Sequence, residues 1–325
     1  MAPLIEVENL RKSFGSIIAV DDVSFSVAPG ELLGFLGPNG AGKSTTMRIL
    51  AGSLNATSGA ARICGYDVRA SSREAKACLG YLPEGSPLYA DMTPEALLDF
   101  VARVRGMEPQ RRRKRVAEVI ARLELGEVLH RSIDTLSKGF KRRLGLAQAL
   151  VHDPKVLILD EPTDGLDPNQ KQSVRRLIGE IASEKAIIIS THLLEEVDSI
   201  CKRAIIIASG RIVGGGTPDE LRRNAVNHNA VRVRVDVRSA ARAVALLRNL
   251  PKIARVEQLP EQRLEDDAQP GAVSILVAPS EGVFIADAVA SVLRAGSIDI
   301  RSLDVETGRL DDVFHRLTRE DVHAG

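Results

Sequence analysis

Short apolar runs alternate with stretches of helical periodicity over the first two thirds of the chain. Residues 31–36, 156–159 and 186–189 are mainly leucine, isoleucine and valine and are bounded by polar residues. This pattern is typical of central strands in a sheet that is covered on both faces. Helical stretches such as residues 169–183 lie between them. Strands that alternate with helices predict an α/β core with a parallel sheet.

Other patterns flank this core. Residues 5–10 and 23–27 alternate apolar with polar positions, which favours half-buried antiparallel strands beside the main sheet. Residues 93–130 have helical character with a break at residues 106–109. They carry the basic run 111–115, whose simplest interpretation is a solvated helix face.

The pattern restarts after a glycine-rich and polar stretch. Residues 214–218 contain three glycines and a proline, so we place one domain at residues 1–224 and another at residues 225–325. In the second domain, strand-like and helix-like segments follow in the order β-α-β-β-α-β, which is the order of a ferredoxin-like α+β module. No cluster of catalytic side chains is visible there. We therefore expect this module to serve binding, dimerisation or regulation.

Composition narrows the class of protein. The net charge of +1 excludes a global field that would attract nucleic acid, and three cysteines are too few and too scattered for a disulfide framework or a zinc site. The amino terminus lacks the pattern of a signal peptide, and no apolar run approaches the about 20 residues that cross a bilayer. We therefore expect a cytoplasmic protein that contacts a membrane only through a partner.

A glycine-rich segment between a predicted strand and a predicted helix is the first motif that indicates a chemical function. It matches the phosphate-binding loop of nucleoside triphosphatases, and its residues are Gly37, Pro38, Asn39, Gly40, Ala41, Gly42, Lys43 and Ser44. The glycines let successive backbone N–H groups turn toward phosphate oxygens at a helix N-terminus. Lys43 supplies a positive charge to the phosphates, and the Ser44 hydroxyl is placed for Mg²⁺.

Two carboxylates follow the apolar run at residues 156–159. Asp160 and Glu161 are expected at the carboxyl edge of the sheet, beside the phosphate loop. Asp160 is expected to hold Mg²⁺ and Glu161 to polarise the attacking water. An isolated pair of this kind would indicate a capped turn, but the phosphate loop makes a hydrolytic site the better interpretation.

Further short motifs, in this order, resemble the ATP-binding cassette (ABC) ATPases. Residues 80–84 resemble the Q-loop of that family, residues 136–140 its signature loop, residues 165–167 its D-loop and residues 190–192 its switch-histidine segment. Phe14 stands where the family stacks an aromatic ring on adenine. The resemblance extends from residue 5 to about residue 221.

The resemblance implies an ABC-type ATPase domain, in which a parallel-sheet core carries an antiparallel β subdomain and a helical subdomain. It also implies a homodimer in which each MgATP lies between the phosphate loop of one protomer and the signature loop of the other. Glu161, His192 and Lys43 would be catalytic, and Ser44, Glu84 and Asp160 would hold Mg²⁺. The residues that would contact ATP are Phe14, Val20, Gly37, Pro38, Asn39, Gly40, Ala41, Gly42, Lys43, Ser44, Thr45, Glu84, Ser137, Gly139 and Asp167.

Three positions depart from the family pattern. Lys138 and Phe140 replace the usual glycine and glutamine of the signature loop, while Ser137 and Gly139 remain. Glu84 stands where most members carry glutamine, and a carboxylate is a harder metal ligand that also repels the triphosphate. We hypothesise that Glu84 senses the metal and couples the site to a membrane partner.

Within the family, the chain most resembles the exporter-type subunits of the multidrug and gliding-motility branch, and residues 310–318 resemble the end of that branch's C-terminal extension. This implies a separate integral-membrane permease, a peripheral location on the inner face of the membrane, and a contact surface at about residues 81–106. Two alternatives remain. Soluble ABC ATPases of DNA repair, chromosomes or ribosomes usually have tandem cassettes, coiled coils or basic arms, which are not visible here. A non-hydrolysing scaffold is disfavoured by Glu161 and His192.

Overall fold

The chain folds into two separate units, and the strands of each unit lie where the sequence has apolar or alternating runs. The computed structural model describes residues 2–85, 87–225, 227–259, 271–280 and 283–320. The first unit is Met1–Pro218 together with the chain end from Leu317, and the second unit is Asp219–Arg316.

The first unit contains two β-sheets. The strands are β1 (Ile5–Phe14), β2 (Ile17–Val27), β3 (Leu32–Leu36), β4 (Ser58–Ile63), β5 (Tyr66–Asp67), β6 (Leu79–Leu82), β7 (Val156–Asp160), β8 (Ala186–Thr191), β9 (Arg203–Ala208) and β10 (Arg211–Gly216). The helices up to residue 223 are α1 (Lys43–Leu50), α2 (Ser72–Ala77), α3 (Pro94–Val104), α4 (Pro109–Arg122), α5 (Lys138–Leu150), α6 (Pro168–Ala182), α7 (Leu194–Ile200) and α8 (Pro218–Arg223). Short 3₁₀ turns lie at Gly126–Val128 and Ile133–Thr135.

The main sheet has the strand order β10-β9-β3-β8-β7-β6. Strands β9, β3, β8, β7 and β6 pair in parallel, and β10 is antiparallel to β9. Every residue of β3, β7 and β8 is buried, as expected of central strands in a sheet that is covered on both faces. The predicted α/β core is therefore confirmed.

An antiparallel sheet with the order β2-β1-β4-β5 lies in the same unit. The sequence predicted strands only at residues 5–10 and 23–27, but β1 and β2 continue to a tight turn at Gly15, whose φ is +59°. Register shifts interrupt the pairing of β1 with β2, so the polar alternation is lost toward the turn. This loss explains why the pattern underestimated the hairpin.

The predicted helical segment consists of two helices and irregular turns. Thr93 caps α3 by accepting a hydrogen bond from the Ala96 N–H at 3.2 Å, and Gly106, with φ +70°, stands in the predicted break. Helix α4 ends at Arg122, so the prediction of helix as far as residue 130 was wrong. Beyond α4 the chain forms 3₁₀ turns instead.

The second unit has the predicted order β-α-β-β-α-β. Its elements are β11 (Val231–Asp236), α9 (Ala240–Arg248), β12 (Ile253–Gln258), β13 (Ala272–Pro279), α10 (Ala286–Ala295) and β14 (Ile300–Val305), with a 3₁₀ turn at Val237–Ser239 before α9. The strands form an antiparallel sheet in the order β12-β13-β11-β14. The valines of β11 all face the core, as their alternation with charged residues predicts. Helix α11 (Leu310–Glu320) follows.

No helix in the described part of the chain has both the length and the apolar composition needed to cross a bilayer.

His152 provides a test of the packing between α5 and the sheet. Its Nε2 lies 3.0 Å from the Leu79 carbonyl oxygen, and its Nδ1 is buried without a hydrogen-bond partner among the described residues. Burial, reinforced by the charge of Arg105, lowers the pKa of His152 to about 4. The folded state therefore binds a proton less readily than the unfolded state, whose histidine pKa is about 6.5.

We expect stability to be lost as the pH falls from about 6.5 toward 4. His152 alone should lower the free energy of unfolding by about 2 kcal/mol between about pH 7 and pH 5. Urea denaturation at both pH values measures this change. The variant His152→Gln retains an N–H donor for the Leu79 carbonyl oxygen. Its free energy of unfolding should decrease by about 2 kcal/mol less than that of the wild type between the two pH values. An equal loss in both proteins would contradict the assignment.

Candidate functional site

Three neighbouring parallel strands deliver the predicted chemical groups to one edge of the main sheet. The phosphate loop follows β3, Asp160 and Glu161 lie at the end of β7, and His192 directly follows β8, which lies between them. Parallel strands end at the same edge, so residues far apart in sequence converge there. The strand at the sheet edge, β6, leads to Glu84 at the same side.

The phosphate loop is shaped by close backbone approach. Gly42 has a φ of +105°, and a Cβ atom at this position would lie 2.4 Å from the Ala19 carbonyl oxygen. Only glycine fits this conformation and this space. Helix α1 begins at the next residue, Lys43, whose Nζ donates to the carbonyl oxygens of Gly37 at 2.8 Å and Pro38 at 3.2 Å. The lysine is thus folded back over the loop, with its charge beside the helix N-terminus.

Asp160 is buried at the end of β7 and accepts two hydroxyl hydrogen bonds. The Ser44 Oγ donates to its Oδ1 at 3.2 Å, and the Ser190 Oγ donates to the same oxygen. Asp160 is 1% exposed, so this carboxylate is stabilised by these hydroxyl groups rather than by bulk water. The structure therefore joins the phosphate loop to β7 through two predicted metal ligands, Ser44 and Asp160.

Glu161 has an uncommon backbone conformation, and its carboxylate lies beside the side chains of Lys43 and His192. Its φ is +49°, and its N–H is held by the Oγ of Ser190 at 3.0 Å and by the Ser190 carbonyl oxygen at 3.1 Å. The His192 Nδ1 lies 2.9 Å from its Oε2, and the Lys43 Nζ lies 3.5 Å from its Oε1. Burial raises the pKa of the Glu161 carboxyl above its ordinary value, although Lys43 and His192 act in the opposite direction. A raised pKa makes the carboxylate a stronger base.

A cavity of about 380 Å³ opens over these groups. The predicted residues that line it are Asn39, Gly40, Gly42, Lys43, Ser44, Thr45, Glu84, Glu161 and His192. Ala19 and Asp164 also line it, although the sequence did not single them out. One chain thus brings phosphate-loop groups, three carboxylates and a histidine around a space that can hold a polyphosphate.

Other predicted residues do not line this cavity. Phe14 lies in the β1–β2 hairpin, 48% exposed, with the Lys12 Nζ 4.9 Å from the centre of its ring. Val20 is fully buried in the core. Ala41 is also buried, and Gly37 and Pro38 contribute the carbonyl groups that bind Lys43.

The signature loop forms the N-terminus of α5. Ser137 caps the helix by accepting a hydrogen bond from the Phe140 N–H at 3.3 Å. A Cβ atom at Gly139 would lie 2.6 Å from the Nε2 of Gln170, so the loop packs tightly against the first turn of α6. That turn is capped by Asp167, which accepts a hydrogen bond from the Gln170 N–H at 2.9 Å. Ser137, Gly139 and Asp167 are thus close to one another and lie outside the cavity of their own chain.

Two groups that organise the site were not predicted as site residues. Ser190 supports both Asp160 and Glu161, and its only sequence signal is its position two residues before His192. Arg142 bonds to backbone carbonyl groups behind the two carboxylates. It lies in a short basic run at residues 141–143 that is typical of an ordinary solvated helix face, so no local signal distinguishes it.

Comparison with known proteins decides the family. The family model described as ABC transporter matches residues 20–164. Nod factor export ATP-binding protein I of Paraburkholderia xenovorans (strain LB400) is 41% identical over 218 residues, which cover 67% of this chain and 72% of that protein. The chain belongs to the family of ABC transporter ATP-binding proteins. The predicted family is therefore confirmed.

A second relative is longer than this chain. The "Probable multidrug ABC transporter ATP-binding protein YbhF" of Escherichia coli (strain K12) is 36% identical over 225 residues, which cover 69% of this chain. The matched part spans 39% of the length of YbhF.

Solved structures agree with the ABC fold. An ATP-binding subunit of an ABC transporter has a TM-score of 0.63 at 30% identity, and covers 68% of this chain and 92% of its own. The cbiO1 protein of Clostridium perfringens has a TM-score of 0.62 at 28% identity, with 68% and 91% covered. The predicted ABC-type fold class is confirmed, and the chain is an ATP-binding cassette.

The close approach at Gly42 predicts a specific loss of nucleotide binding. Gly42→Ala forces a side chain against the Ala19 carbonyl group in a left-handed conformation, so the loop must shift away from the phosphates. We expect ATP affinity to fall at least about tenfold, which corresponds to about 1.4 kcal/mol. Titration with a fluorescent ATP analogue measures this.

Gly179→Ala is the matched control. Gly179 lies inside α6, with no atom within 4 Å of a Cβ at that position. Alanine there should keep ATP affinity and raise the free energy of unfolding by up to about 1 kcal/mol. Equal ATP affinity in the two variants would contradict the role given to the close approach.

Proposed function

We propose that this protein is the ATP-hydrolysing subunit of an ABC exporter, and that it drives a separate transmembrane permease. The observation that carries the proposal is the cluster of Lys43, Glu161 and His192 over the phosphate loop. The Oε atoms of Glu161 lie 3.5 Å from the Lys43 Nζ and 2.9 Å from the His192 Nδ1. This arrangement combines phosphate binding with a general base and a group that orients it.

In the proposed reaction, a water molecule attacks the γ-phosphorus of ATP. Glu161 accepts a proton from this water, the bond to the bridging oxygen of ADP breaks, and inorganic phosphate is formed. Lys43 and the backbone N–H groups of the phosphate loop offset the negative charge of the γ-phosphate oxygens. His192 orients Glu161 and the water. Glu161 is buried, so few bulk water molecules compete with the reacting one.

The residues at the cavity fit Mg²⁺ as the metal that accompanies ATP. Ser44 and Asp160 present oxygen atoms 3.2 Å apart, and Glu84 lines the same cavity. Among the described residues, no three or more His, Cys, Asp or Glu side chains converge to hold a metal alone. This suits Mg²⁺, which takes one or two carboxylates and completes its shell with phosphate and water. When bound, it would neutralise charge on the phosphates.

The position of the signature loop supports a head-to-tail homodimer. Ser137 is exposed at the N-terminus of α5, where backbone N–H groups and the helix dipole attract an anion. It does not line the cavity that holds Lys43. In a dimer, Ser137 and Gly139 of one protomer would contact the γ-phosphate bound by the other. Asp167 would lie at the same interface.

An exposed apolar surface supports contact with a permease. Tyr89 and Phe100 stack edge to face with ring centres 6.0 Å apart, and both are exposed, as is Val104. All three lie within residues 81–106 and follow the Q-loop residue Glu84 in the chain. The relatives YbhF and Nod factor export ATP-binding protein I are named for multidrug transport and Nod factor export. On this basis we propose a peripheral location on the inner face of the cell membrane, with membrane contact through the permease.

Hydrolysis is tested with Glu161→Gln. The amide keeps the size of the side chain but cannot accept the proton, so we expect kcat to fall at least about 100-fold. ATP binding should be retained, since Lys43 and the phosphate loop are unchanged. Phosphate release and titration with an ATP analogue measure the two quantities.

Glu180→Gln serves as the control for this substitution. Glu180 is exposed at the end of α6, and this change should leave kcat unaltered. The proposal of an ATPase fails if purified wild-type protein, alone and with its permease, releases phosphate no faster than Glu161→Gln.

The permease surface is tested with Val104→Asp. Val104 is 70% exposed, so an aspartate should cost little stability but should disfavour an apolar contact. We expect the amount of integral-membrane permease that co-purifies with the tagged protein from detergent-solubilised membranes to decrease at least about tenfold, while ATP affinity stays within about twofold. Val237→Asp, at a valine that is also exposed but lies in the second unit, is the control. Equal recovery of the permease with both variants would place the contact elsewhere.

A further inference from the structure

Arg142 lies in α5, five residues after Ser137, and is only 6% exposed. Its guanidinium donates to the carbonyl oxygens of Pro162 at 2.9 Å and Asp160 at 2.6 Å, and also to that of Glu161. It donates in addition to the carbonyl oxygen of Pro83 at 3.3 Å. One side chain of α5, the helix that begins at the signature loop (the signature helix), therefore binds two separate segments at the cavity.

The first of these segments is the turn that holds Glu161. The three carbonyl groups at residues 160–162 are consecutive, and the middle one belongs to a residue with a φ of +49°. This left-handed conformation is unfavourable for a non-glycine residue and must be held by its surroundings. Ser190 holds the N–H side of Glu161, and Arg142 holds its carbonyl side.

The second segment leads to Glu84, which follows Pro83 directly.

Burial lowers the pKa of Arg142, while the carboxylates of Asp164, Asp160, Glu161 and Glu84 act in the opposite direction. An arginine keeps its charge in such a place, and its planar fork can satisfy several acceptors at once. Arg142 thus supplies positive charge behind the carboxylates that face the cavity.

The same helix carries the signature loop at its first turn. Five residues of an α-helix span about 7.5 Å, and this short piece of helix does not bend easily. A shift of Ser137 and Gly139 must therefore move Arg142 and the carbonyl groups that it binds. Helix α5 thus connects the signature loop, which is expected to face the partner's nucleotide, with the turn at residues 160–162 that holds Glu161 in the same chain.

We propose that Arg142 is a positioning residue for hydrolysis, which holds Glu161 and the Q-loop of its own protomer in place from the signature helix. The inference rests on the proposed ATPase function. It assigns Arg142 to the site that contains the Glu161 of the same chain. The alternative is that Arg142 acts through Ser137 on the nucleotide bound by the partner protomer.

Arg142→Lys tests the contacts without requiring activity. Lysine keeps the charge but cannot bind four carbonyl groups with one ammonium, so we expect the turn to loosen. Hydrogen–deuterium exchange should become at least about fivefold faster in residues 160–166 and 79–85 and should stay unchanged in residues 186–191. Arg143→Lys is the matched control, because the neighbouring Arg143 binds Glu124 at 2.7 Å instead. Equal exchange in wild type and Arg142→Lys would overturn the proposal.

Steady-state kinetics separate positioning from general damage to the fold. Arg142→Lys should lower kcat at least about tenfold while the KM for ATP stays within about twofold, since the phosphate loop is not touched. Arg143→Lys should leave both parameters near wild type. A variant Arg142→Lys with wild-type kcat, or with a change confined to KM, would contradict the proposal.

Mixed dimers with two affinity tags show on which site Arg142 acts. In one dimer, Arg142→Lys and Glu161→Gln are in the same protomer; in the other, they are in different protomers. If Arg142 positions its own Glu161, the first dimer should match a dimer with Glu161→Gln in one protomer only, and the second should be at least about tenfold slower. The reverse order would mean that Arg142 acts on the partner's nucleotide.

The outcomes also separate this inference from the proposed function. Wild-type protein that hydrolyses no ATP would refute the ATPase proposal, and hydrogen exchange would still test the contacts of Arg142. Active wild-type protein with unchanged Arg142→Lys exchange and kcat would refute the inference alone.

Discussion

The parallel pairing of β3, β8 and β7 places the phosphate loop, the carboxylates of Asp160 and Glu161, and His192 at one edge of the sheet. Because β8 is the middle strand, Ser190 stands opposite Phe35 on one side and Asp160 on the other. From there it reaches the Asp160 side chain and the backbone N–H of Glu161. A slip of one residue in this register would send those groups to the opposite face of the sheet.

Buried charges at this edge are stabilised by one another. Lys43, Asp160, Glu161 and Arg142 are all buried, and an isolated buried ion would cost several kcal/mol. Lys43 reaches Glu161 from the phosphate loop, and Arg142 lies near the carboxylates from α5. These two cations offset Asp160 and Glu161, so each of the four buried groups depends on the others, while Glu84 and Asp164 add two further carboxylates at the cavity.

The parts of the fold and of the cavity that could be predicted from the sequence are those that a short stretch of consecutive residues specifies. The apolar runs at β3, β7 and β8 indicate burial by themselves, and the phosphate loop has a fixed spacing of glycines and lysine. Arg142 has no such signal, since its neighbours Lys141 and Arg143 are equally basic and only the packing of α5 against the main sheet buries one of the three. The length of the β1–β2 hairpin was also hidden, because irregular pairing removes the alternation of polar and apolar positions.

The contact of Gly139 with Gln170 has a consequence for how this sequence can evolve. The two residues come from separate helices, yet the space for a side chain at one is filled by the other. An alanine at 139 would require the end of the Gln170 side chain to turn away, and a side chain at 170 with fewer rotamers would have less freedom to do so. Which residues position 139 tolerates should therefore depend on the side chain at position 170.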